Sequence, residues 1–383
     1  QGGLSDRRIR QDPKIRDGRM KLALHVDFDP SMPTGIGRYG IELTRSIAGA
    51  GERPSVWIES GSLPAWRGLG LETGGVRVLR KPRRVSSRIG PSVFSLLDGI
   101  DIVHSFGTTL PHFVLPGSKR STMIHDLGPF LYPEMKAPDD TASWRSRISD
   151  AVSGADCLLV NSETTRADLL EIFPDAGSRV FLTLPGVDHF TVQPRPGRKT
   201  DRGGHILVVG MIEPRKNLER VFEAWAILSG RPGSGDLPPI VVAGHDGYRA
   251  GEIRSAPARL GIEGSVRFEG YTSESRLQEL YSGASMLVHA ALYEGFGFTI
   301  PEAFAHGLPV AASDRASIRE IFSGACNLFD PLDPHSIAEA VSTCLESGVT
   351  PEQLAERRRI VSTHTWARCA EQTLAAFGAV LES

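Results

Sequence analysis

Two glutamates, Glu294 and Glu302, stand eight positions apart in YEGFGFTIPE, separated by a Gly-Phe-Gly turn and an Ile-Pro pair that can open a helix. The apolar run from Ala284 to Leu292 before them reads as a buried strand, so the glycines fall at a strand's carboxyl end, where open α/β sheets bind ligands. Gly295 and Gly297 permit close backbone approach to a ligand, and each carboxylate can accept hydrogen bonds from sugar hydroxyls. The spacing suits a sugar nucleotide. Thr299 and Glu302 also fit a T-x-x-E capping box with Pro301 in the first turn, which would make Glu302 a helix tie instead. Glu294 has no comparable structural duty.

Charge of the opposite sign follows another expected strand. In GMIEPRKN, Gly210 to Asn217, Arg215 and Lys216 precede a helical stretch beginning near Leu218, where they add cations to the positive end of the helix dipole. Such a site can stabilise a departing diphosphate without a metal. In TGIGRY, Gly35 and Gly37 open a helix running to about Gly49, a pattern that lacks the third glycine of the dinucleotide fingerprint and fits a plain tight turn as well. His125, in HDLGPFLYPE, ends a strand, either packed structurally or within reach of a sugar hydroxyl. Asp27 and Asp29 imitate a D-x-D metal motif, but no further carboxylates accompany them, so no metal is expected. Arg80, Lys81, Arg83 and Arg84 belong to a basic stretch that suits an anionic leaflet, a phosphate-bearing acceptor or a solvated loop.

These groups need two scaffolds. At 383 residues the chain exceeds what one core usually fills. Strand-like runs alternate with helical ones in both halves, at Leu22 to Phe28, Ser55 to Ile58, Ile102 to Ser105, Thr122 to His125, Cys157 to Asn161 and Arg179 to Thr183, then His205 to Gly210, Ile240 to Ala243, Val266 to Phe268, Met286 to His289 and Val310 to Ala312. That grammar predicts α/β architecture: a first domain over 20–192, a linker over 193–204, a second domain over 205–364 and a final helix over 365–383. Residues 1–19 are polar, lack the apolar core of a secretory signal and read as a flexible leader ahead of a start at Met20. No run of 18 apolar residues is present. A net charge of -2 argues against nucleic-acid binding, and four scattered cysteines read as reduced thiols of a cytoplasmic protein.

Taken in order, TGIGRY, HDLGPFLYPE, NSETTRADL, LPGVD, GMIEPRKN and YEGFGFTIPEA resemble glycosyltransferase family four from about Met20 to the end. The resemblance implies a GT-B fold, two Rossmann-like domains facing a cleft with a last helix crossing back to the first. It also implies metal-independent, retaining transfer from a nucleotide sugar, with no cofactor. By the same resemblance Glu294 lies near the donor sugar, Glu302 binds the ribose, Arg215 and Lys216 clamp the diphosphate, and His125 meets the donor sugar. Gly35 and Gly37 lie under the phosphates, and Gly295, Phe296 and Gly297 lay backbone amides against the donor. Many relatives carry Gly-Arg where this chain has Gly210-Met211, and Arg215 is expected to substitute. Bacterial mannosyl- and rhamnosyltransferases of exopolysaccharide or O-antigen synthesis are the most similar, which puts GDP-mannose first as donor, with UDP-glucose and dTDP-rhamnose as alternatives. The implied acceptor is a polyprenyl-diphosphate-linked or other saccharide at the cytoplasmic face of the inner membrane. A 2-epimerase would need catalytic groups set for elimination, which are not found; a non-catalytic binding protein gains weight from Met211 and loses it from Glu294, Lys216 and His125.

Overall fold

The computed structural model describes residues 20–31, 34–79, 99–110, 117–190, 204–232 and 237–383. The leader, residues 193–203 of the expected linker, and Arg80, Lys81, Arg83 and Arg84 lie outside them. Two parallel sheets form. The first joins β1 (Leu22–Val26), β2 (Ser55–Glu59), β3 (Gly75–Leu79), β4 (Ile102–Ser105), β5 (Lys119–Ile124), β6 (Cys157–Val160) and β7 (Val180–Leu182) in the order β3-β2-β1-β4-β5-β6-β7. The second joins β8 (His205–Val209), β9 (Ile240–Ala243), β10 (Val266–Gly270), β11 (Ala284–His289), β12 (Val310–Ser313) and β13 (Asn327–Phe329) in the order β10-β9-β8-β11-β12-β13. Strands β4, β6, β9, β11 and β12 are buried along their whole length. Their near-continuous apolar sequences are what a parallel sheet covered on both faces requires.

The sequence reading missed β3 and β13, both at sheet edges. Strand β13 is too short to show a period, and β3 runs into the basic stretch, whose Arg77 pairs with Trp57 in the ladder.

The helices that matter for the site are α1 (Gly35–Gly49), α2 (Pro138–Gly154), α3 (Glu163–Ile172), α4 (Leu218–Ser229), α5 (Glu274–Gly283), α6 (Thr299–Ala305), α7 (Ala316–Phe322) and α8 (Trp366–Glu382). Helix α1 begins where the Thr34 hydroxyl accepts the Gly37 N–H, and it buries Tyr39, Leu43 and Ile47, four positions apart on one face. Helix α8 does cross back: Trp366, Cys369, Ala370, Phe377 and Val380 share a core with Leu24, Tyr39, Leu43 and Met123 of the first lobe. Its start is pinned by the Trp366 N–H on Asp188 Oδ1 at 2.8 Å and its indole N–H on His189 Nδ1 at 2.8 Å. Among the described residues no helix is long and apolar enough to cross a membrane.

In each sheet the strand order reverses beside one pair, β1 and β4 in the first and β8 and β11 in the second. Crevices at carboxyl ends beside such reversals are where doubly wound folds place ligands. The lobes touch there. Arg38 of α1 meets Glu302 of α6 at 2.8 Å. Glu320 of α7 accepts the N–H groups of Glu163 and Thr164 at the start of α3, at 2.9 and 2.8 Å.

Candidate active site

The loop after β8 supplies the cations. Pro214–Lys216 forms a 3-10 turn, and Asn217, left-handed at φ 59, separates it from α4 while its amide donates to the Pro331 carbonyl at 2.7 Å. Arg215 and Lys216 therefore stand just ahead of α4, which begins at Leu218 where the sequence predicts it. Gly210 is required: at φ +142, a Cβ there would lie 2.8 Å from Lys216 Cε.

The loop after β11 brings the carboxylate. Glu294 Oε2 meets Arg215 Nη1 at 2.9 Å, and Glu294 Oε1 accepts from Lys216 Nζ. Arg215 also pairs with buried Glu213 at 2.9 Å and donates to the Tyr293 carbonyl at 3.1 Å. Burial pushes the Glu294 carboxyl up, but Arg215, Lys216 and His289 outweigh it and hold the group well below the usual carboxylate range. The arrangement is a fixed, ionised triad that an incoming diphosphate can join.

Glu302 is not a helix cap. The residue ahead of α6 is Phe298, no side chain caps the helix, and Thr299 already lies inside it. The buried Glu302 carboxylate instead accepts the Tyr281 hydroxyl at 2.6 Å and the Arg38 guanidinium. Burial raises its pKa, opposed by Arg38 and the Tyr281 hydrogen bond. The reason is spatial: α6 starts so close to Tyr281 and Arg38 that Glu302 faces them.

The turn between the glutamates is shaped by close approach. A Cβ on Gly295 would fall 1.8 Å from the His125 carbonyl oxygen of the other lobe, and one on Gly297, at φ +94, would fall 2.6 Å from Ile318 Cδ1. Phe296 points into the second lobe's core against Phe298 and Phe322, so only its backbone is available to a ligand.

His125 is both packed and placed. Its Nε2 lies 2.7 Å from the Phe106 carbonyl, which can only accept, so Nε2 carries the proton and Nδ1 is an acceptor. Burial lowers its pKa, and the ring is neutral near pH 7. Its carbonyl is taken by the Asn161 amide at 3.0 Å. Gly35 and Gly37 lie in the first turn of α1, where added Cβ atoms would meet Phe298 at 3.7 Å and Phe28 at 3.3 Å. Asp27 accepts the Gly107 N–H on both oxygens, and Asp29 accepts from the Ser31 N–H and hydroxyl, so the two carboxylates serve separate loops.

A cavity of about 150 Å³ opens between these groups. His125, Asp126, Lys136 and Arg215 supply its polar wall, and Ile36, Tyr132, Met135, Trp144 and Ile148 its apolar one. Sequence reasoning passed over several residues here. Glu213 and Arg38 were inside quoted motifs but carried no partner until the fold supplied one. His289, at the end of β11, has a buried Nε2 with no hydrogen-bond partner among the described residues, and burial lowers its pKa to about 4. Its signal was position, at the end of a fully buried strand.

Known proteins resemble this chain in sequence and in fold. Residues 191–361 match the family model "Glycosyl transferases group 1". The chain is 26% identical over 381 residues to the O-antigen chain mannosyltransferase B of Escherichia coli, covering 90% of this chain and 96% of that one. It is 28% identical over 225 residues to the MMP alpha-(1->4)-mannosyltransferase of Mycolicibacterium hassiacum, covering 57% of this chain and 53% of that one. Among solved structures, sucrose-phosphate synthase from Thermosynechococcus elongatus superposes with a TM-score of 0.72 at 18% identity, covering 95% of this chain and 100% of that chain. That last likeness establishes the shared GT-B fold.

Proposed function

We propose that this chain, a group 1 glycosyltransferase, moves mannose from GDP-mannose onto a saccharide or polyprenyl-diphosphate-linked acceptor in bacterial surface polysaccharide synthesis. The observation that carries the reading is the pairing of Arg215 and Lys216 on Glu294, with Arg215 also lining the cleft cavity. Two cations held in one orientation can take the two phosphates of a nucleoside diphosphate without a metal. Mannose as the sugar is supported by the mannosyltransferase names of two relatives.

In the proposed reaction the bond from the sugar's anomeric carbon to the β-phosphate oxygen breaks, and its electron pair leaves with the phosphate. An acceptor oxygen bonds that carbon from the same face, and its proton passes to the departing phosphate, so configuration is retained. Arg215 and Lys216 stabilise the charge that develops on the leaving group, Glu302 accepts the ribose hydroxyls, and the amides of Gly295 to Gly297 line the donor. His125, neutral and with Nδ1 free to accept, holds a sugar hydroxyl. The enzyme works in the cytoplasm, at the membrane face where its acceptor lies.

Thermal shift with GDP-mannose, UDP-glucose and dTDP-rhamnose tests the donor, since selective binding raises apparent stability with occupancy. A rise with GDP-mannose alone is expected. A rise confined to UDP-glucose or dTDP-rhamnose changes the donor and leaves the class standing. Binding without release of nucleoside diphosphate would favour a non-catalytic sugar-nucleotide-binding protein, the reading to which Met211, packed beside Gly247, lends weight.

A further inference from the structure

We infer that Arg38 is a latch across the lobes that competes with the donor's ribose for Glu302, so that a nucleotide gains this carboxylate only by displacing the guanidinium onto Glu274. The inference rests on the reading above, in which Glu302 accepts the ribose hydroxyls, and adds a competitor for it.

Glu302 has one oxygen to give. Its Oε2 accepts the Tyr281 hydroxyl at 2.6 Å, and Tyr281 is fully buried, its ring stacked on His306 with centroids 5.2 Å apart and planes 12° from parallel. That oxygen is anchored. Oε1 takes Arg38 Nη1 at 2.8 Å, and Arg38 comes from the other lobe, on α1. The Glu302 side chain is only 8% exposed, so hydroxyls arriving at Oε1 meet the guanidinium already in place.

The guanidinium has a second partner within reach. Its Nη2 lies 3.2 Å from Glu274 Oε2 at the start of α5, so Arg38 stands between two carboxylates of the second lobe. Glu274 is held ready: Gln278, one turn on, donates its amide to Oε1 at 3.0 Å, while its carbonyl oxygen lies 2.8 Å from His306 Nε2. A cavity of about 550 Å³, lined by Arg38, Phe190, Glu274, Gln278 and His306, leaves room for the shift. The Phe190 ring, 5.4 Å from the guanidinium carbon, attracts the cation on this side. Leaving a buried carboxylate with no cation nearby is costly, and moving onto Glu274 keeps the positive charge close to Glu302. The exchange of guanidinium for hydroxyl thus takes place at one oxygen, with the ion pair shifted instead of lost.

Contact between the lobes does not depend on this pair alone. Glu320 holds the start of α3, and the Tyr293 hydroxyl donates to Asp168 at 2.6 Å. Removing Arg38 therefore frees Glu302 without parting the lobes.

Calorimetric titration of the full chain with GDP and UDP, each set against its 2′,3′-dideoxy form, tests this in the parent, Arg38→Met and Glu274→Gln. For whichever base binds the parent, Arg38→Met should tighten the ribonucleotide by roughly fivefold or more, the scale of one net hydrogen bond withdrawn from competition, and leave the dideoxy form within about twofold. Glu274→Gln, at a half-exposed position, should weaken the ribonucleotide by roughly threefold or more, because the displaced cation loses its second partner. That opposite sign is read independently of how well Arg38→Met folds. Weaker or unchanged ribonucleotide binding in Arg38→Met, equal tightening of both forms, or unchanged or tighter binding in Glu274→Gln would overturn the latch. Failure of the parent to bind either ribonucleotide removes the donor reading and the latch with it, whereas parent binding with no gain in Arg38→Met removes the latch alone.

Discussion

Each lobe holds a partly buried carboxylate near the place where its strand order reverses, and although desolvation raises both, their net shifts run in opposite directions. Asp27, after β1, is held by the backbone N–H of Gly107 at 3.0 and 3.1 Å, and desolvation pushes it up to about 7 against those bonds. Glu294, after β11, meets the same desolvation, but Arg215, Lys216 and His289 drive it well below the ordinary range. Amide hydrogen bonds alone do not offset the loss of water around a carboxylate; a fixed pair of cations does. The second lobe thus keeps Glu294 ionised between two fixed cations, whereas in the first lobe Asp27 gives up its charge far more readily.

Taking away the cations breaks this contrast most severely. With the proposed donor GDP-mannose, Lys216→Ala and Arg215→Ala should each slow release of GDP by roughly 100-fold or more, the scale seen when one electrostatic stabiliser is lost. A coupled nucleotide assay measures it, with circular dichroism confirming the fold, and activity within threefold of the parent would count against the roles assigned.

The acid limb of stability comes next. A carboxylate with a depressed folded pKa contributes stability that is present above its unfolded value, 4.5 for Glu294, and is lost as pH falls below it. Urea midpoints should drop more steeply below about pH 4.5 in the parent than in Glu294→Gln. Equal slopes would mean that the cations do not hold the charge.

Asp27 has the reverse sign. Its folded pKa lies above the unfolded 3.8, so the native state binds the extra proton and this group's contribution declines as pH rises from 3.8 to about 7. Asp27→Asn should flatten that decline relative to the parent, and an unchanged difference across the window would place Asp27 in a wetter setting. The smallest effect concerns the lobe contact itself. Glu320→Gln removes a charge from the start of α3 and should cost about 0.5–1 kcal/mol, read as a lower urea midpoint.

Much of this was legible beforehand. Strands such as Cys157–Val160 and Ile240–Ala243 announce themselves because burial on both faces demands an unbroken apolar run, and the motifs lie at their carboxyl ends for the same topological reason. Glu294, Arg215 and Lys216 were found from strand position and charge, and the fold joins all three. Other features have no local signal. The capping reading of Glu302 used only its own helix, whereas the carboxylate is claimed by Tyr281 and by Arg38 from the other lobe. Gly295 read as room for a ligand, and its missing side chain also makes room for the His125 carbonyl across the lobes. Such pairings join positions far apart in the chain, and only the packed lobes create them.

The central claim is that side-chain cations grip the diphosphate, and calorimetric titration of GDP into the parent and into the Arg215→Met/Lys216→Met double variant, each with and without EDTA, tests it most directly. The account predicts affinity reduced by roughly tenfold or more in the double variant, the loss of charge-assisted contacts, and no response to EDTA in either protein. Unchanged affinity in the double variant, or parent binding abolished by EDTA, would contradict it.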